Sequence, residues 1–254
     1  MEKDIVAIIM AGGLGARMNS DIPKVLHKIY KIPMIVHILL KLKEFRNIRN
    51  LKQILIVVGK YKEQIQNIIE EFIELPYITY IEQCDPKGTG HAINCCSNEL
   101  IKYKHCDVII LSGDVPLFST LYMDLLTKNL NKARIVITEL ENSNGYGRII
   151  INNKKFEKIK EQNDCMNEEL YINKVNCGIY SFNVEILLKW ISFIKNNNSQ
   201  GEYYLTDIVE LIKIGENIDI DMLEIPTQKQ YQIMGVNTIK QLEELEIIFV
   251  KSLS

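Results

Sequence analysis

The chain has 254 residues, of which 47% are hydrophobic and 24% are charged. A chain of this length and composition can bury a sizeable core, which excludes collagen-like, low-complexity and largely disordered proteins. The 30 Lys and Arg residues nearly balance the 32 Asp and Glu residues, so the net charge of −2 does not favour non-specific binding of nucleic acid.

Short apolar runs alternate with helical patterns in the first half of the chain. The predicted strands cover 5–10, 54–58 and 108–111, and the predicted helices cover 33–44, 62–73 and 90–101. Continuous apolar runs between helices are typical of βαβ units, in which both faces of a parallel sheet are covered. We therefore predict one α/β domain over residues 1–254 with a mostly parallel mixed sheet flanked by helices.

The second half changes character, and we expect an antiparallel extension of the sheet there. Strand patterns at 135–140, 147–151 and 175–182 lie near a turn signal at 142–145, and a polar loop at 196–201 precedes the last helical region. A final helix over about 238–250 has an apolar face made by Leu242, Leu245, Ile248 and Phe249. That face could pack on its own domain or on a second copy, so the oligomeric state stays open between monomer and dimer.

The six cysteines form no C-x-x-C pair, and only four histidines accompany them. This pattern indicates buried free thiols in a reducing compartment, not a zinc site or an activated nucleophile. Apolar stretches such as 5–11 are too short for a signal sequence or a membrane span. We expect a soluble cytoplasmic protein with no membrane partner.

A glycine-rich segment follows the first predicted strand, the position at which α/β folds hold phosphates. Met18 stands where the dinucleotide fingerprint needs a third glycine, and no Gly-Lys-Ser/Thr sequence supplies a Walker loop. The remaining pattern is Gly-Gly-x-Gly-x-Arg-Met over residues 12–18, followed by Pro23-Lys24. The alternative interpretation is that this glycine segment is only a structural turn, with Arg17 and Lys24 as two exposed cations.

Residues 10–26 resemble the opening of the sugar-nucleotide pyrophosphorylases, which are nucleotidyltransferases. Further blocks in the same order resemble one branch, the bacterial-type N-acetylglucosamine-1-phosphate uridylyltransferases (UDP-N-acetylglucosamine pyrophosphorylases). These blocks are Gln83 with 87–92, then 111–117, 145–149, 200–207 and 235–237. The resemblance spans about residues 4–245. It implies a Rossmann-like, glycosyltransferase-A-like fold that converts UTP and N-acetylglucosamine 1-phosphate into UDP-N-acetylglucosamine and pyrophosphate.

The bacterial protein continues into a left-handed β-helix that acetylates glucosamine 1-phosphate, and the resemblance ends before that domain. It therefore implies uridylyl transfer without acetyl transfer.

The resemblance also implies the catalytic residues. Arg17 and Lys24 would neutralise the triphosphate and the leaving pyrophosphate. Asp114 and Asn237 would hold Mg²⁺, since carboxylate and amide oxygens suit that ion. The other interpretations are a turn carboxylate for Asp114 and a helix N-cap for Asn237.

Gln83 is implied to face the base together with Gly88 and Thr89. An amide by itself does not choose uracil over cytosine, because a flipped amide pairs with cytosine, so neighbouring groups must fix its orientation. We take His91 as structural, although its position near phosphate leaves room for a minor role.

Five further residues match family positions that line the sugar site: Gly147, Glu161, Asn176, Tyr204 and Thr206. Tyr204 and Thr206 could equally lie at the edge of the core. The full predicted substrate-binding set is Met10, Ala11, Gly12, Gly13, Gln83, Gly88, Thr89, Ser112, Gly113, Gly147, Glu161, Asn176, Tyr204, Thr206 and Asn237.

The chain departs from the family pattern at Ala16, Asn163 and Cys177, where Thr or Ser, Lys and Thr are usual. These departures bear on rate and on sugar preference. They leave two alternatives open: a uridylyltransferase for another sugar 1-phosphate, and a non-catalytic regulatory protein that binds nucleotide sugars.

Overall fold

The computed structural model describes residues 2–13, 18 and 20–253. The strands are β1 (Ile5–Met10), β2 (Lys28–Ile29), β3 (Ile32–Pro33), β4 (Leu51–Val58), β5 (Ile78–Glu82), β6 (Asp107–Ser112), β7 (Ala133–Glu139), β8 (Arg148–Asn152), β9 (Lys155–Lys160), β10 (Lys174–Asn183) and β11 (Asp221–Glu224). The helices are α1 (Met34–Phe45), α2 (Lys62–Phe72), α3 (Thr89–Cys95), α4 (Ser97–Leu100), α5 (Thr120–Thr127), α6 (Val184–Trp190), α7 (Asp207–Gly215) and α8 (Ile239–Leu253).

The main sheet has the strand order β11-β7-β10-β6-β1-β4-β5, and β8 joins it through β10 and carries β9 at its side. Strands β6, β1, β4 and β5 pair in parallel, whereas β10 runs antiparallel to both β6 and β7. Six of the seven strands in that order therefore point the same way. The mostly parallel mixed sheet and its antiparallel extension are confirmed.

The central strands are buried on both faces, which explains why their sequences are continuously apolar. On one face, Ile5, Ala7 and Ile9 pack in a core with residues of α1, α2 and α5. On the other face, Val6 and Ile8 pack with residues of α3, α6 and α7. Helices thus cover both sides of the sheet, as predicted from the βαβ pattern.

The predicted elements differ from the observed ones mainly at the edges of the sheet. The helix predicted over 90–101 is divided into α3 and α4, followed by a 3₁₀ turn at Ile101–Tyr103. Besides the short β2–β3 pair, three strands of the main sheet, β5, β9 and β11, were not predicted. Their residues are mostly half-buried or exposed, so these strands lack a continuous apolar run.

Helix α8 packs on its own chain. Leu245 is buried in a cluster with Met18, Ile29, Met34 and Val236, and Leu242 and Phe249 contact the same cluster. Leu242, Leu245 and Phe249 therefore pack within the chain, whereas Ile247 and Val250 of the same helix are 57% and 43% exposed.

The six cysteines are free. The expectation that they are buried is only half right, because Cys96, Cys106 and Cys177 are buried whereas Cys84 is exposed. Within the described residues, no helix combines the length and apolar character that a membrane crossing needs.

Candidate active site

Two adjoining pockets open at the carboxyl ends of β1 and β6, where open α/β sheets bind ligands. The first, here called the loop pocket, has a volume of about 520 Å³ and is lined by residues that include Gly12, Gly13, Lys24, Gln83 and Gly88. The second, here called the β10 pocket, has a volume of about 320 Å³ and is lined by residues that include Gly147, Glu161, Asn176, Tyr180 and Thr206.

The two pockets share four lining residues, namely Met10, Thr89, Ser112 and Asp114. They therefore form one continuous cleft, and Asp114 lies at their junction. A group transferred between ligands in the two pockets would pass beside this carboxylate.

Lys24, Asp114 and Asn237 form a cluster at this junction. The Lys24 ammonium is paired with Asp114 Oδ2 and donates to Asn237 Oδ1 at 3.1 Å. The Lys24 and Asp114 side chains are only 16% and 14% exposed, so solvent screens the pair weakly. Ser112 Oγ donates to Asp114 Oδ1 at 2.5 Å and fixes the carboxylate in place.

The same geometry tests whether the residues fit Mg²⁺. A carboxylate oxygen and an amide oxygen already converge on one cationic group, the Lys24 ammonium. These are the oxygen donors that Mg²⁺ takes from proteins, so the pair fits this ion.

Asn237 is held at the junction by the backbone and by the start of α8. Val236 N donates to Asp114 O at 2.9 Å. Gln241 Oε1 accepts from the backbone N–H groups of Asn237 and Thr238, and Thr238 Oγ1 accepts from Gln241 N at 3.2 Å. This is a capping box. Thr238 and Gln241 therefore cap the helix, and the Asn237 side chain points instead to Lys24.

The loop pocket presents an oriented amide. Gln83 is 5% exposed, and its Nε2 donates to Gly88 O at 3.1 Å and to His91 Nδ1 at 3.0 Å. Gly88 has φ +106°, and a Cβ there would lie 2.6 Å from Tyr203 O. This position therefore requires glycine.

The β10 pocket presents a carboxylate and an amide oxygen. Thr206 Oγ1 donates to Glu161 Oε1 at 2.9 Å, and burial raises the pKa of the Glu161 carboxyl. Asn176 Nδ2 donates to Tyr180 Oη at 2.7 Å, whereas Asn176 Oδ1 is buried with no partner among the described residues. A buried acceptor without a partner is costly unless a ligand supplies a donor.

A register break in β10 brings Asn176 and Tyr180 into this pocket. The pairing with β7 is irregular between these two residues, and Gly178 has φ +69°. Such breaks re-aim side chains and are common near sites. Cys177, one of the departures from the family pattern, is buried, and burial raises the pKa of its thiol.

Carboxylates gather behind the β10 pocket at the start of α7. Burial, followed by the charges of Glu161, Glu210 and Asp164, raises the pKa of Asp207 to about 6. Asn163, the position of a usual family lysine, is exposed, so this departure faces solvent.

The backbone of the loop that includes Gly145 and Gly147 is held by hydrogen bonds to two side chains. Arg148 is fully buried and donates to Tyr146 O, and Gln162 Oε1 accepts from Gly145 N at 2.5 Å. At Gly147 a Cβ would lie 3.0 Å from Ile159 Cγ2 and 3.4 Å from Glu161 Oε2. The backbone therefore forms this part of the pocket wall.

The structure brings most of the predicted site residues to the cleft, with three exceptions. Arg17 lies outside the described residues, as does the departure at Ala16. Gly113 and Tyr204 do not line either pocket, and the Tyr204 hydroxyl donates to Gln200 Oε1 at 2.7 Å. Tyr204 thus fits the core-edge interpretation, whereas Thr206 lines the β10 pocket.

The lining residues that were not predicted include Tyr180 and Gln241. Both had a sequence signal. Tyr180 stands four residues after Asn176, and in a regular strand this spacing places both side chains on one face. Gln241 stands three residues after Thr238, which is the spacing of a capping box.

Comparisons with known proteins give the family of this chain. Residues 6–223 match the family described as nucleotidyl transferase. A protein of Acanthamoeba polyphaga mimivirus named "Probable UDP-N-acetylglucosamine pyrophosphorylase" is 39% identical over 251 residues, which cover 94% of each chain. The "Bifunctional protein GlmU" of Clostridium botulinum strain 657 is 37% identical over 254 residues, which cover 98% of this chain and 52% of that protein. The chain thus spans about half the length of this bifunctional relative.

The fold is also shared with a solved structure of UDP-glucose pyrophosphorylase complexed with UDP-glucose. That structure has a TM-score of 0.74 and 18% identity, and the match covers 99% of this chain and 100% of the other. At this identity the likeness concerns the fold alone. Together, the sequence match over residues 6–223 and the relatives above 35% identity show that the chain belongs to the nucleotidyl transferase family.

Proposed function

We propose that this chain catalyses the transfer of a uridylyl group from UTP to N-acetylglucosamine 1-phosphate, which yields UDP-N-acetylglucosamine and pyrophosphate. The observation that carries the proposal is the position of Lys24 and Asp114 at the junction of two pockets that present different chemistry. The names of the relatives at 37–39% identity support the choice of substrates.

The loop pocket would hold UTP. Gly12 and Gly13 let the backbone approach an anion closely, and Gln83 would meet the base. The β10 pocket would hold the sugar, whose hydroxyls would donate to Asn176 Oδ1 and Glu161. A site with such partners rejects sugars that leave them unpaired.

The reaction needs no general base, because the sugar phosphate is already anionic at neutral pH. A phosphate oxygen attacks the α-phosphorus, a new P–O bond forms, and the bond to the bridging β-phosphate oxygen breaks. The electron pair leaves with pyrophosphate. Catalysis is then positioning and charge neutralisation.

Lys24 supplies a positive charge in a partly desolvated place, where its interaction with developing negative charge is strong. Asp114 and Asn237 would hold Mg²⁺, which would neutralise phosphate charge when bound. Arg17, outside the described residues, is proposed as a second phosphate ligand.

The test is pyrophosphate release from UTP with a panel of sugar 1-phosphates, with and without Mg²⁺. The proposal expects Mg²⁺-dependent release with N-acetylglucosamine 1-phosphate at the highest kcat/KM. Preference for another sugar 1-phosphate would overturn the assigned substrate. Absence of pyrophosphate release with every sugar, alongside tight binding of UDP-sugars, would favour a non-catalytic binding protein.

A further inference from the structure

The orientation of the Gln83 amide is set by two neighbours. Gln83 follows β5, and its backbone N–H donates to Val58 O at 2.8 Å, which anchors the residue. Its side-chain amide has two N–H groups, and Nε2 lies 3.1 Å from Gly88 O and 3.0 Å from His91 Nδ1. Both amide hydrogens are therefore used inside the protein.

A flipped amide would be unfavourable at this position. Gly88 O can only accept, and it also accepts from Ala92 N at 3.2 Å in the first turn of α3. A flip would place the Gln83 oxygen against this carbonyl oxygen and, in the His91 tautomer that carries its hydrogen on Nε2, against the lone pair of Nδ1. The His91 ring nitrogen can accept only when its hydrogen is on Nε2, which lies 4.0 Å from Cys95 Sγ.

The amide oxygen of Gln83 lies on the side of the loop pocket. Gln83 Oε1 is 3.3 Å from the point at which a Cβ on Gly12 would stand, and both residues line that pocket. The pocket therefore meets an acceptor and not a donor at this position.

The two pyrimidine bases differ in the group that such an acceptor meets. Uracil has a hydrogen on N3 and donates there, whereas cytosine has a lone pair on N3. An amide oxygen held in one orientation pairs with the first and opposes the second.

We infer that His91 is a positioning residue, which together with Gly88 O holds Gln83 so that its amide oxygen selects uracil over cytosine. The inference deepens the proposed function and rests on it, since that function assigns Gln83 to the base. It gives His91 a role in specificity through Gln83, not through phosphate.

The test compares two substitutions of His91. His91→Phe keeps a ring of similar shape but has no acceptor, and we expect the ratio of kcat/KM for UTP over CTP to fall about tenfold. His91→Asn can place an amide oxygen near the position of Nδ1, and we expect it to restore most of the ratio. His105→Phe, at an exposed histidine, is the matched control and should leave the ratio unchanged.

A second comparison asks whether His91 acts through Gln83. In a Gln83→Leu background, the His91→Phe substitution should no longer change the UTP/CTP ratio. An equal fall in both backgrounds, or an unchanged ratio in the single variant, would overturn the inference. If His91→Phe does not fold, His91→Leu takes its place, because a smaller side chain without an acceptor tests the same point.

The nucleotide preference is also measured as competition between UDP and CDP for binding, which needs no sugar. If UDP is preferred and His91→Phe weakens this preference, the inference holds even when the sugar panel overturns the proposed acceptor. If the unsubstituted protein does not prefer UDP over CDP, the inference and the uridylyl assignment fail together. If UDP is preferred equally by both proteins, only the inference fails.

Discussion

The loop pocket and the β10 pocket meet at Asp114, but they are assembled from different kinds of sequence. Much of the loop pocket comes from short segments that follow parallel strands, such as 11–13 after β1 and 83–89 after β5. The β10 pocket collects single side chains from elements far apart in the chain, including Glu161, Asn176 and Thr206. The first is therefore a local feature of the chain, whereas the second depends on tertiary packing.

This difference predicts that substitutions in the two pockets affect different substrates, while a substitution at the junction affects the reaction itself. The following experiments test this division, beginning with the largest expected effect.

At the junction, Asp114→Ala should lower kcat by about 10²-fold or more, because it removes both the partner of Lys24 and the proposed metal ligand. Steady-state rates at saturating UTP and sugar phosphate measure this effect. The control is Asp219→Ala at an exposed ion pair, with thermal unfolding measured for both. A folded Asp114→Ala protein with near-full Mg²⁺-dependent activity would refute the assignment of Asp114.

In the β10 pocket, Asn176→Ala should raise the KM for the sugar phosphate by about 10-fold to 100-fold, since it removes a buried acceptor worth roughly 1–3 kcal/mol. The KM for UTP should stay within about twofold. Equal changes in both KM values would contradict the separation of the two pockets.

In the loop pocket, Gly88→Ala should raise mainly the KM for UTP and leave the KM for the sugar phosphate nearly unchanged. The residue has φ +106°, and the new Cβ would meet Tyr203 O at 2.6 Å. We therefore also expect a loss of about 1–3 kcal/mol in unfolding free energy. Gly145→Ala, where φ is +87° but no atom lies within 4 Å of the Cβ position, separates backbone strain from the collision.

The smallest effect concerns stability against pH. The pKa of Asp207 is raised from 3.8 to about 6, so between these values the folded protein holds a proton that the unfolded chain has released. The contribution of Asp207 to the unfolding free energy therefore falls as pH rises through this window.

Asp207→Asn should remove this fall and stabilise the protein at pH 8. We expect the unfolding free energy at pH 8 to rise by about 1 kcal/mol. This is less than the full pKa shift implies, because partial exposure to solvent and the positive end of the α7 dipole both stabilise the ionised carboxylate. Denaturant unfolding at pH 4, 6 and 8 measures the effect. If the substitution changes stability equally at all three values, ionisation of Asp207 is not the cause.

The sequence predicts the loop pocket better than the β10 pocket for the same physical reason. A glycine segment after an apolar run, or a carboxylate after β6, is visible in a window of a few residues. Edge strands such as β9 and β11 alternate only weakly, so their part in the second half of the sheet could not be read in the same way. The pairing of Glu161 with Thr206, 45 residues later, depends on packing that no local pattern reports.

One alternative left open at the sequence level concerned Asn237, and hydrogen bonds at the start of α8 bear on it. Asn237 as an N-cap was a reasonable interpretation until Thr238 and Gln241 were found to cap α8. For Gln83 the amide orientation depends on Gly88 O and His91 Nδ1, whose places are set by the loop conformation and by α3.

Strand β10 is antiparallel to its neighbours β6 and β7. Its first residues, and not its last, therefore lie at the edge of the sheet where the other strands end. This antiparallel strand thereby supplies Asn176 near its start, and Tyr180 farther along, without interrupting β1 or β6. Redesign of the acceptor preference can then concentrate on rewriting the beginning of a single strand, with the glycine segment and its lysine left as they are.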